Sequence, residues 1–171
     1  TQNYYNYGII IYKSSATNPT SIQGNTISNI DHTTVMASGA ANIFFIGAYA
    51  AGGTVNLGNV TGNTIGASTG TGNISLTSNG VGAPFYIGIG HVTVAGAVEN
   101  NTIGSITMGG TGTGTTQFAG IYTSGESGAF SVSNNLVGST TTANSINLLS
   151  TVLPATVYGC YLLTSTTATL T

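Results

Sequence analysis

VENNTIGSI, residues 98–106, recurs in close variants along the chain, and this recurrence indicates the fold class. The variants are IQGNTISNI at 22–30, NVTGNTIGA at 59–67 and SVSNNLVGS at 131–139. Their anchor asparagines follow one another in steps of 38, 38 and 34 residues: Asn25, Asn63, Asn101 and Asn135. A repeat length of about 20 to 50 residues is typical of solenoids, propellers and repeat arrays.

A second anchor, a glycine set among apolar residues, alternates with the first. It occurs as NYGIII, FIGAYA, YIGIGHV, FAGIYTS and VYGCYLL, with the glycines at Gly8, Gly47, Gly88, Gly120 and Gly159. The first four glycines precede the next anchor asparagine by 13 to 17 residues. Together the two anchors predict about four to five repeats of roughly 34 to 41 residues.

The composition predicts an all-β protein. The 171 residues include 30 Thr, 17 Asn, 17 Ser and 26 Gly, which suit strand faces and turns better than helix interiors. Only 2% of the residues are charged, whereas 40% are hydrophobic and the net charge is -2, so the chain can bury a core.

Parallel winding explains the repetition better than helical repeats or propeller blades. The apolar segments are short, β-branched and aromatic, and only SNGVG at 78–82 resembles a hairpin turn. In a β-solenoid, equivalent positions of successive coils stack on one another. We therefore expect a buried column of aliphatic residues and a ladder of asparagine side chains, formed respectively by Ile27, Ile65, Ile103 and Val137 and by Asn25, Asn63, Asn101 and Asn135.

The length of one coil is open at this point. A repeat of 38 residues is either one enlarged coil or two coils of about 19. We favour one enlarged coil, because the variable segment after each asparagine anchor contains loops that absorb differences in length. Within that segment, GNISLTS and NSINLLS predict a third strand.

The wording of the repeats resembles a known class of proteins. SVSNNLVGSTTTANSI followed by VYGCYLL, together with NNTIG and AGIYTSG, is similar to the right-handed parallel β-helix repeats of giant secreted bacterial surface proteins. The resemblance covers essentially the whole chain. It implies a β-solenoid at the cell surface, commonly exported by the type IX secretion system, with adhesion or surface architecture as its role. The C-terminal sorting domain of such proteins is not found in this chain.

We expect residues 1–171 to form a single β-solenoid segment, a fragment of a longer repeat array. The chain starts inside a repeat at TQNYYNYGIII and stops at TSTTATLT, where another asparagine anchor is due. Solenoids need polar caps, and neither end resembles one. The expected partners are neighbouring repeats or copies of the chain itself, with secretion machinery or surface glycans as further candidates.

Residues with catalytic or metal-binding chemistry are few and scattered. Asp31, Glu99 and Glu126 lie in different repeats at unrelated positions, so no pair of carboxylates is expected to act as acid and base. His32 and His91 are 59 residues apart, and His32 is expected in a loop, so no metal site is predicted. We predict no enzyme activity and no cofactor. Cys160, in VYGCYLL, is expected to be a buried packing residue.

Several classes of partner are excluded or kept as alternatives. With one Lys or Arg in all, the chain cannot neutralise a row of phosphates, so nucleic acid is not an expected partner. No apolar run approaches the roughly 20 residues of a transmembrane segment. Carbohydrate binding remains an alternative, with Tyr4, Tyr5 and Tyr7 as candidate sugar contacts. A polysaccharide-degrading β-helix, an ice-binding face and a phage tailspike segment are further alternatives.

The function predicted from sequence is therefore mechanical. We expect a non-enzymatic structural or adhesive segment of a secreted cell-surface protein, which forms a stiff stalk or fibre and presents loops or distal domains away from the cell.

Overall fold

The computed structural model describes residues 2–12, 15–35, 41–125, 127–149, 155–163 and 168–170, with backbone alone for residues 2, 41, 43 and 168–170. The chain passes through four sheets in a fixed order, and we call one such passage a winding. The first winding contains β1 (Gln2–Tyr12), β2 (Thr20–Ile22), β3 (Thr26–Ile27) and β4 (Ile30–Thr34). The second contains β5 (Ala41–Ala51), β6 (Thr54–Leu57), β7 (Thr64–Gly66) and β8 (Ile74–Ser78).

The later windings follow the same order. The third contains β9 (Ala83–Val92), β10 (Ala95–Glu99), β11 (Thr102–Gly104) and β12 (Ile106–Gly109). The fourth contains β13 (Thr116–Ser124), β14 (Phe130–Ser133), β15 (Leu136–Val137) and β16 (Ile146–Leu148). β17 (Ala155–Leu163) and β18 (Ala168–Leu170) belong to the fifth.

Corresponding strands of successive windings form the four sheets of the described chain. Sheet 1 has the order β1-β5-β9-β13-β17, sheet 2 β2-β6-β10-β14-β18, sheet 3 β3-β7-β11-β15 and sheet 4 β4-β8-β12-β16. The pairings within all four are parallel, illustrated by β1 with β5, β2 with β6, β3 with β7 and β4 with β8. The predicted all-β class is confirmed, and the stacked parallel strands are compatible with a β-helix.

Each repeat adds one strand to each sheet. Ile27 is paired with Ile65, and Ile65 with Ile103, at sequence separations of 38 residues. The strands of sheet 3 therefore stack at the full repeat length and not at half of it. Parallel strands need a crossover connection, and here the other three sheets supply it.

The core consists of columns of stacked aliphatic side chains, which we call files, with one residue from each winding. Sheet 2 contributes Ile22, Leu57, Val98 and Val132, which are paired in register and buried. Sheet 4 contributes Ile74 and Ile106 in one file and Leu76 and Met108 in the next, all buried. Alternate residues of these strands point away from the core, as the period of a strand requires.

Two of the predicted third strands are present in sheet 4. GNISLTS contains β8 and NSINLLS contains β16. Sheet 2 was not predicted, because its strands of three to five residues directly precede the asparagine anchor and read as part of it. The corner that follows sheet 3 uses left-handed backbone in each of the first four windings, at Asn29, Gly66, Ser105 and Gly138.

The connection from sheet 3 to sheet 4 differs in length between windings and spans only residues 28–29 in the first. It spans residues 67–73 in the second winding and 138–145 in the fourth, but only Ser105 in the third. The two long loops meet across the short corner of the third winding. The Ser139 hydroxyl donates to the Ser68 carbonyl at 2.8 Å, and the Gly70 amide donates to the Thr142 hydroxyl at 3.2 Å.

Candidate functional site: the stacked files and the aromatic face

The four anchor asparagines form a continuous hydrogen-bonded ladder at the corner before sheet 3. The side-chain nitrogen of each donates to the side-chain oxygen of the next, at 3.0 Å from Asn25 to Asn63 and 2.9 Å from Asn63 to Asn101. Asn101 donates in the same way to Asn135 at 2.9 Å. The backbone N–H groups of the donors share the same acceptors, at 2.9 to 3.1 Å.

Three of the four asparagine amides also donate to a carbonyl of sheet 2. Asn63 donates to the carbonyl of Ile22 at 2.9 Å and Asn101 to that of Leu57 at 2.9 Å. Asn135 donates to the carbonyl of Val98 at 2.7 Å. Asn63 and Asn101 are buried, so these bonds satisfy groups that water does not reach.

The glycine anchors lie directly against the aliphatic file of sheet 3. A Cβ on Gly47 would lie 2.5 Å from Ile65 Cγ2, and one on Gly88 would lie 2.6 Å from Ile103 Cγ2. Gly8 has the same relation to Ile27, and Gly120 to Val137. The two anchors of the sequence are thus two sides of one packing contact, which explains their alternation. Gly159 differs, because a Cβ there would meet no heavy atom within 4 Å.

The alternation of side chains in sheet 1 changes at these glycines. Phe45 and Ala48 both belong to the core although they are three residues apart, and so do Tyr86 and Ile89. An odd separation places two residues of a regular strand on opposite faces. The strand therefore changes which alternate residues face the core at each glycine, while its register with the neighbouring strand stays the same on both sides, as in the pairs of Tyr7 with Ile46 and of Ile9 with Ala48. The missing glycine side chain leaves room for the aliphatic residue opposite.

The histidines and the cysteine in and around the core are dispersed, with His91 and Cys160 in different windings of sheet 1 and His32 in sheet 4. His91 is buried in sheet 1, where its Nε2 lies 3.0 Å from the Val55 carbonyl oxygen and its ring stacks on Phe130 at 4.7 Å. His32 lies within β4 and not in a loop, which corrects the sequence-based placement, and burial lowers its pKa. Cys160 is half-buried beside the core, and burial raises the pKa of its thiol.

The carboxylates of the described residues are also dispersed. Asp31 is exposed on sheet 4, whereas Glu99 lies at the end of β10 in sheet 2 and accepts a hydrogen bond from the Ser131 hydroxyl at 2.6 Å. Glu126 falls outside the described residues. Across the described ranges, no three His, Cys, Asp or Glu side chains are grouped closely enough to hold a metal ion.

The three candidate sugar contacts lie on two faces of β1. Tyr5 and Tyr7 are on the outer face of sheet 1, with their rings 6.0 Å apart and within 3° of parallel. Tyr4, 43% exposed, alternates with them and therefore points to the other face. The structure thus brings Tyr5 and Tyr7 together and separates Tyr4 from them.

A chain of aromatic rings crosses the outer face of sheet 1, and we call this surface the aromatic face. Tyr5 stacks on Phe44 at 4.6 Å, and Phe44 lies 6.0 Å from Phe85. The chain continues from Phe85 to Tyr122 at 5.7 Å and from Tyr122 to Tyr161 at 5.6 Å. The rings turn along it, since the interplanar angle is 14° at Tyr5–Phe44, 47° at Phe44–Phe85 and 90° at Phe85–Tyr122.

Two cavities flank the Phe44–Phe85 pair. The larger, about 300 Å³, lies towards Tyr49 and Tyr122 and includes Ile46 and Ile87 in its lining. The smaller, about 170 Å³, is lined on its polar side by Asn42, Thr115 and Gln117. Ile46 and Ile87 are 2% and 4% exposed, although they belong to the outer face, because the surrounding rings cover them.

The pKa values of two tyrosines at this face, Tyr7 and Tyr49, are raised above their ordinary value. Burial raises the pKa of Tyr49, and the neighbouring phenols of Tyr7 and Tyr5 raise it further. Burial, followed by Tyr5 and Tyr12, likewise raises the pKa of Tyr7. A neutral phenol both donates and accepts a hydrogen bond.

Most of the aromatic face was missed from sequence, although a signal for it exists. Tyr5, Phe44 and Phe85 each stand three residues before a glycine anchor. A second set, Tyr49, Tyr122 and Tyr161, stands two residues after one. Aligning the repeats on their glycines would have found both files, whereas Tyr4, Tyr5 and Tyr7 were grouped because they are neighbours in sequence.

Comparison with protein-family models, with curated proteins and with solved structures finds no match to this chain. The part of the chain that the structure describes contains no helix of the length and hydrophobicity required to cross a membrane.

Proposed function

We propose that the chain is a segment of a right-handed parallel β-helix that serves as a non-enzymatic stalk or adhesin body of a secreted cell-surface protein. One observation carries this proposal: the asparagine ladder and the aliphatic file beside it continue through four windings without interruption. Side chains that repeat in order to stack between windings stabilise an elongated body, and such a body suits a structural role.

The mechanical role follows from how each winding is held. Every strand of sheet 1 is paired along almost its whole length with its neighbour in the next winding, and the side-chain files add contacts along the same axis. Bending such a body would open backbone hydrogen bonds on one side. A stiff rod can display loops or further domains at a distance from a surface.

The dispersed carboxylates support a role without catalysis. Asp31 and Glu99 lie on different sheets, whereas hydrolysis of a glycosidic bond by the usual mechanism requires two carboxyl groups across one bond. Ice binding has less support, because a regular Thr array needs adjacent rows. In sheet 3 the described strands supply one row, formed by Thr26, Thr64 and Thr102. The export route and surface location rest on the resemblance of the repeats.

Small-angle scattering and electron microscopy test the rod. We expect particles of constant cross-section whose long axis grows with the number of repeats present, and a globular particle would contradict the proposal. Incubation with polysaccharides across a calcium titration tests the absence of catalysis. The expected result is no new reducing ends and no unsaturated products at any calcium concentration.

Carbohydrate binding is the second candidate, and the aromatic face favours it. Clefts lined by aromatic rings with a few polar groups are the usual form of small-molecule sites. Such binding is compatible with the stalk role, because adhesion needs both a rigid body and a recognition surface.

A further inference from the structure

We infer that the aromatic face binds an uncharged polysaccharide, whose chain lies along the two cavities beside Phe44 and Phe85. The inference rests on the adhesive form of the proposed function and names its ligand class.

The walls of the two cavities supply both kinds of contact that a sugar needs. Phe44 and Phe85 border both cavities, and Tyr122 borders the larger one. Aromatic rings offer apolar area to the C–H faces of a pyranose. Asn42 and Gln117 in the smaller cavity present amides, each of which can donate and accept hydrogen bonds with sugar hydroxyls.

The absence of charged side chains from both cavity linings favours an uncharged ligand. The two cavities are lined by aromatic, aliphatic, amide and hydroxyl side chains, and no Asp, Glu, Lys or Arg is among them. Asp31 and Glu99 belong to sheets 4 and 2. A uronic acid or a sulfated sugar would bury its charge without a partner, which costs free energy. A neutral glycan loses only hydroxyl hydration, which the amides and phenols replace.

The shape of the face favours a thin ligand over a second protein sheet. Ile46 and Ile87 are already covered by the rings beside them, so a flat partner would bury little more of these two side chains. The rings turn from parallel at Tyr5–Phe44 to perpendicular at Phe85–Tyr122, which opens space between them. The ring chain continues to Tyr161 in the fifth winding, so the surface is long enough for a polymer.

Affinity electrophoresis with the whole chain tests the inference. The neutral probes are mannan, xylan, galactan and a β-glucan, and the acidic probes are alginate and polygalacturonate. We expect at least one neutral probe to retard the protein and the acidic probes not to do so. Phe85→Leu and Tyr122→Leu, which remove a ring but keep apolar volume, should each weaken retardation by about tenfold or less. Gln117→Leu should weaken it as well.

Tyr4→Leu is the matched control, because it removes an exposed tyrosine from the opposite face of the same sheet. It should leave retardation unchanged, and thermal unfolding of all variants checks that the fold persists. Failure of every neutral probe, equal retardation by alginate, or equal loss in Tyr4→Leu would overturn the inference. So would self-association that Phe85→Leu abolishes without any retardation by glycans, which indicates a second copy as occupant. Small-angle scattering from the same samples tests the elongated shape separately, so a failure of glycan binding can be distinguished from a failure of the proposed stalk function.

Discussion

The side chain of an anchor asparagine makes several hydrogen bonds at one corner of the winding. In Asn101, the side-chain oxygen accepts two hydrogen bonds from Asn63, and the nitrogen donates to Leu57 and to Asn135. All four bonds connect different segments, and none lies within the residue's own strand. A buried amide with every group satisfied stabilises a unique register, because a shift of one residue would leave its partners unpaired.

Asn101→Ala should therefore destabilise the protein by about 2 to 4 kcal/mol, because it leaves buried donors of Asn63 and the Leu57 carbonyl without their partners. Urea unfolding followed by circular dichroism measures the change. Asn18→Ala, at an exposed loop asparagine, is the control and should change stability by less than about 0.5 kcal/mol. Equal midpoints for the two variants would show that the ladder does not hold the corner.

Tyr86 gives a prediction with a pH dependence. Its side chain is buried, its hydroxyl finds no hydrogen-bond partner among the described residues, and burial raises its pKa to about 12 from an ordinary value of 10.0. Below pH 10 the phenol is neutral in both states, so its contribution is constant. Between pH 10 and 12 the unfolded state ionises first, and stability is lost.

Tyr86→Phe should stabilise the protein by about 1 kcal/mol at neutral pH, because it removes an unpaired buried hydroxyl. It should also reduce the loss of stability between pH 10 and 12 relative to the parent chain. Denaturant midpoints at pH 8 and pH 11, together with phenolate absorbance, measure both effects. Tyr4→Phe, at a residue 43% exposed, is the control and should leave stability at neutral pH unchanged. A less stable Tyr86→Phe would mean that the hydroxyl has a partner in the folded protein.

At the scale of elements, the glycine positions of sheet 1 and the aliphatic file of sheet 3 depend on each other. Sheet 3 strands are two or three residues long, and each packs one aliphatic side chain against the core, buried in the first three windings and half-buried at Val137 in the fourth. The space for that side chain exists because sheet 1 carries a glycine opposite it. A short strand at a corner is thus held by packing across the interior as well as by its own pairing.

Gly88→Ala should cost about 1 to 3 kcal/mol, because its Cβ would lie 2.6 Å from both the Gly120 carbonyl oxygen and Ile103 Cγ2. Thermal and urea unfolding measure the loss. Gly159→Ala is the matched control at the equivalent position of the fifth winding, where a Cβ meets nothing, and it should be neutral or slightly stabilising. Adding Ile103→Val to Gly88→Ala tests the contact itself. If the Cβ introduced by Gly88→Ala clashed only with the Gly120 carbonyl oxygen, Ile103→Val would change the stability of that variant by the same amount as it changes that of the parent chain.

Sequence could predict those elements whose residues repeat for packing. Sheet 3 follows from Asn-Thr-Ile and sheet 1 from the glycine anchor, because stacking demands similar residues at the same position of each winding. Sheet 2 escaped prediction, since its inward residues Ile22, Leu57 and Val98 vary in type while keeping only their apolar character. The aromatic face escaped because its rings come from different windings and are brought together by pairing alone.

At the scale of the whole molecule, stability accumulates along the axis. In the described part of the chain, each winding pairs with the windings before and after it, and the loops at Ser68 and Ser139 reach across an intervening one. Stability in such a body is approximately a sum of windings and of the interfaces between them. An added winding should therefore not lower the free energy of unfolding, provided that its strands pair in register with the neighbouring windings.

Copying residues 101–134 and inserting the copy after Asn134 should lengthen the rod without unfolding it. The insert starts at an anchor asparagine and carries one strand for each of the four sheets, and its junction, Asn134 to Asn101, matches the native Asn100–Asn101 step. We expect the long axis to grow by about 4.8 Å per copy, hence about 10 Å for two copies. Small-angle scattering measures the length, and thermal unfolding should show a midpoint equal to or above that of the parent.

The control insert is half as long, residues 101–117 alone. It carries strands for sheets 3 and 4 but returns the chain to sheet 3 before completing sheets 1 and 2, so every later residue would lose its partner in the neighbouring winding. We expect this variant to unfold or to expel the insert as a loop, with no increase in axial length. Tolerance of the half insert with a longer rod would instead establish two small coils per repeat, and the ladder from Asn25 to Asn135 would then need another explanation.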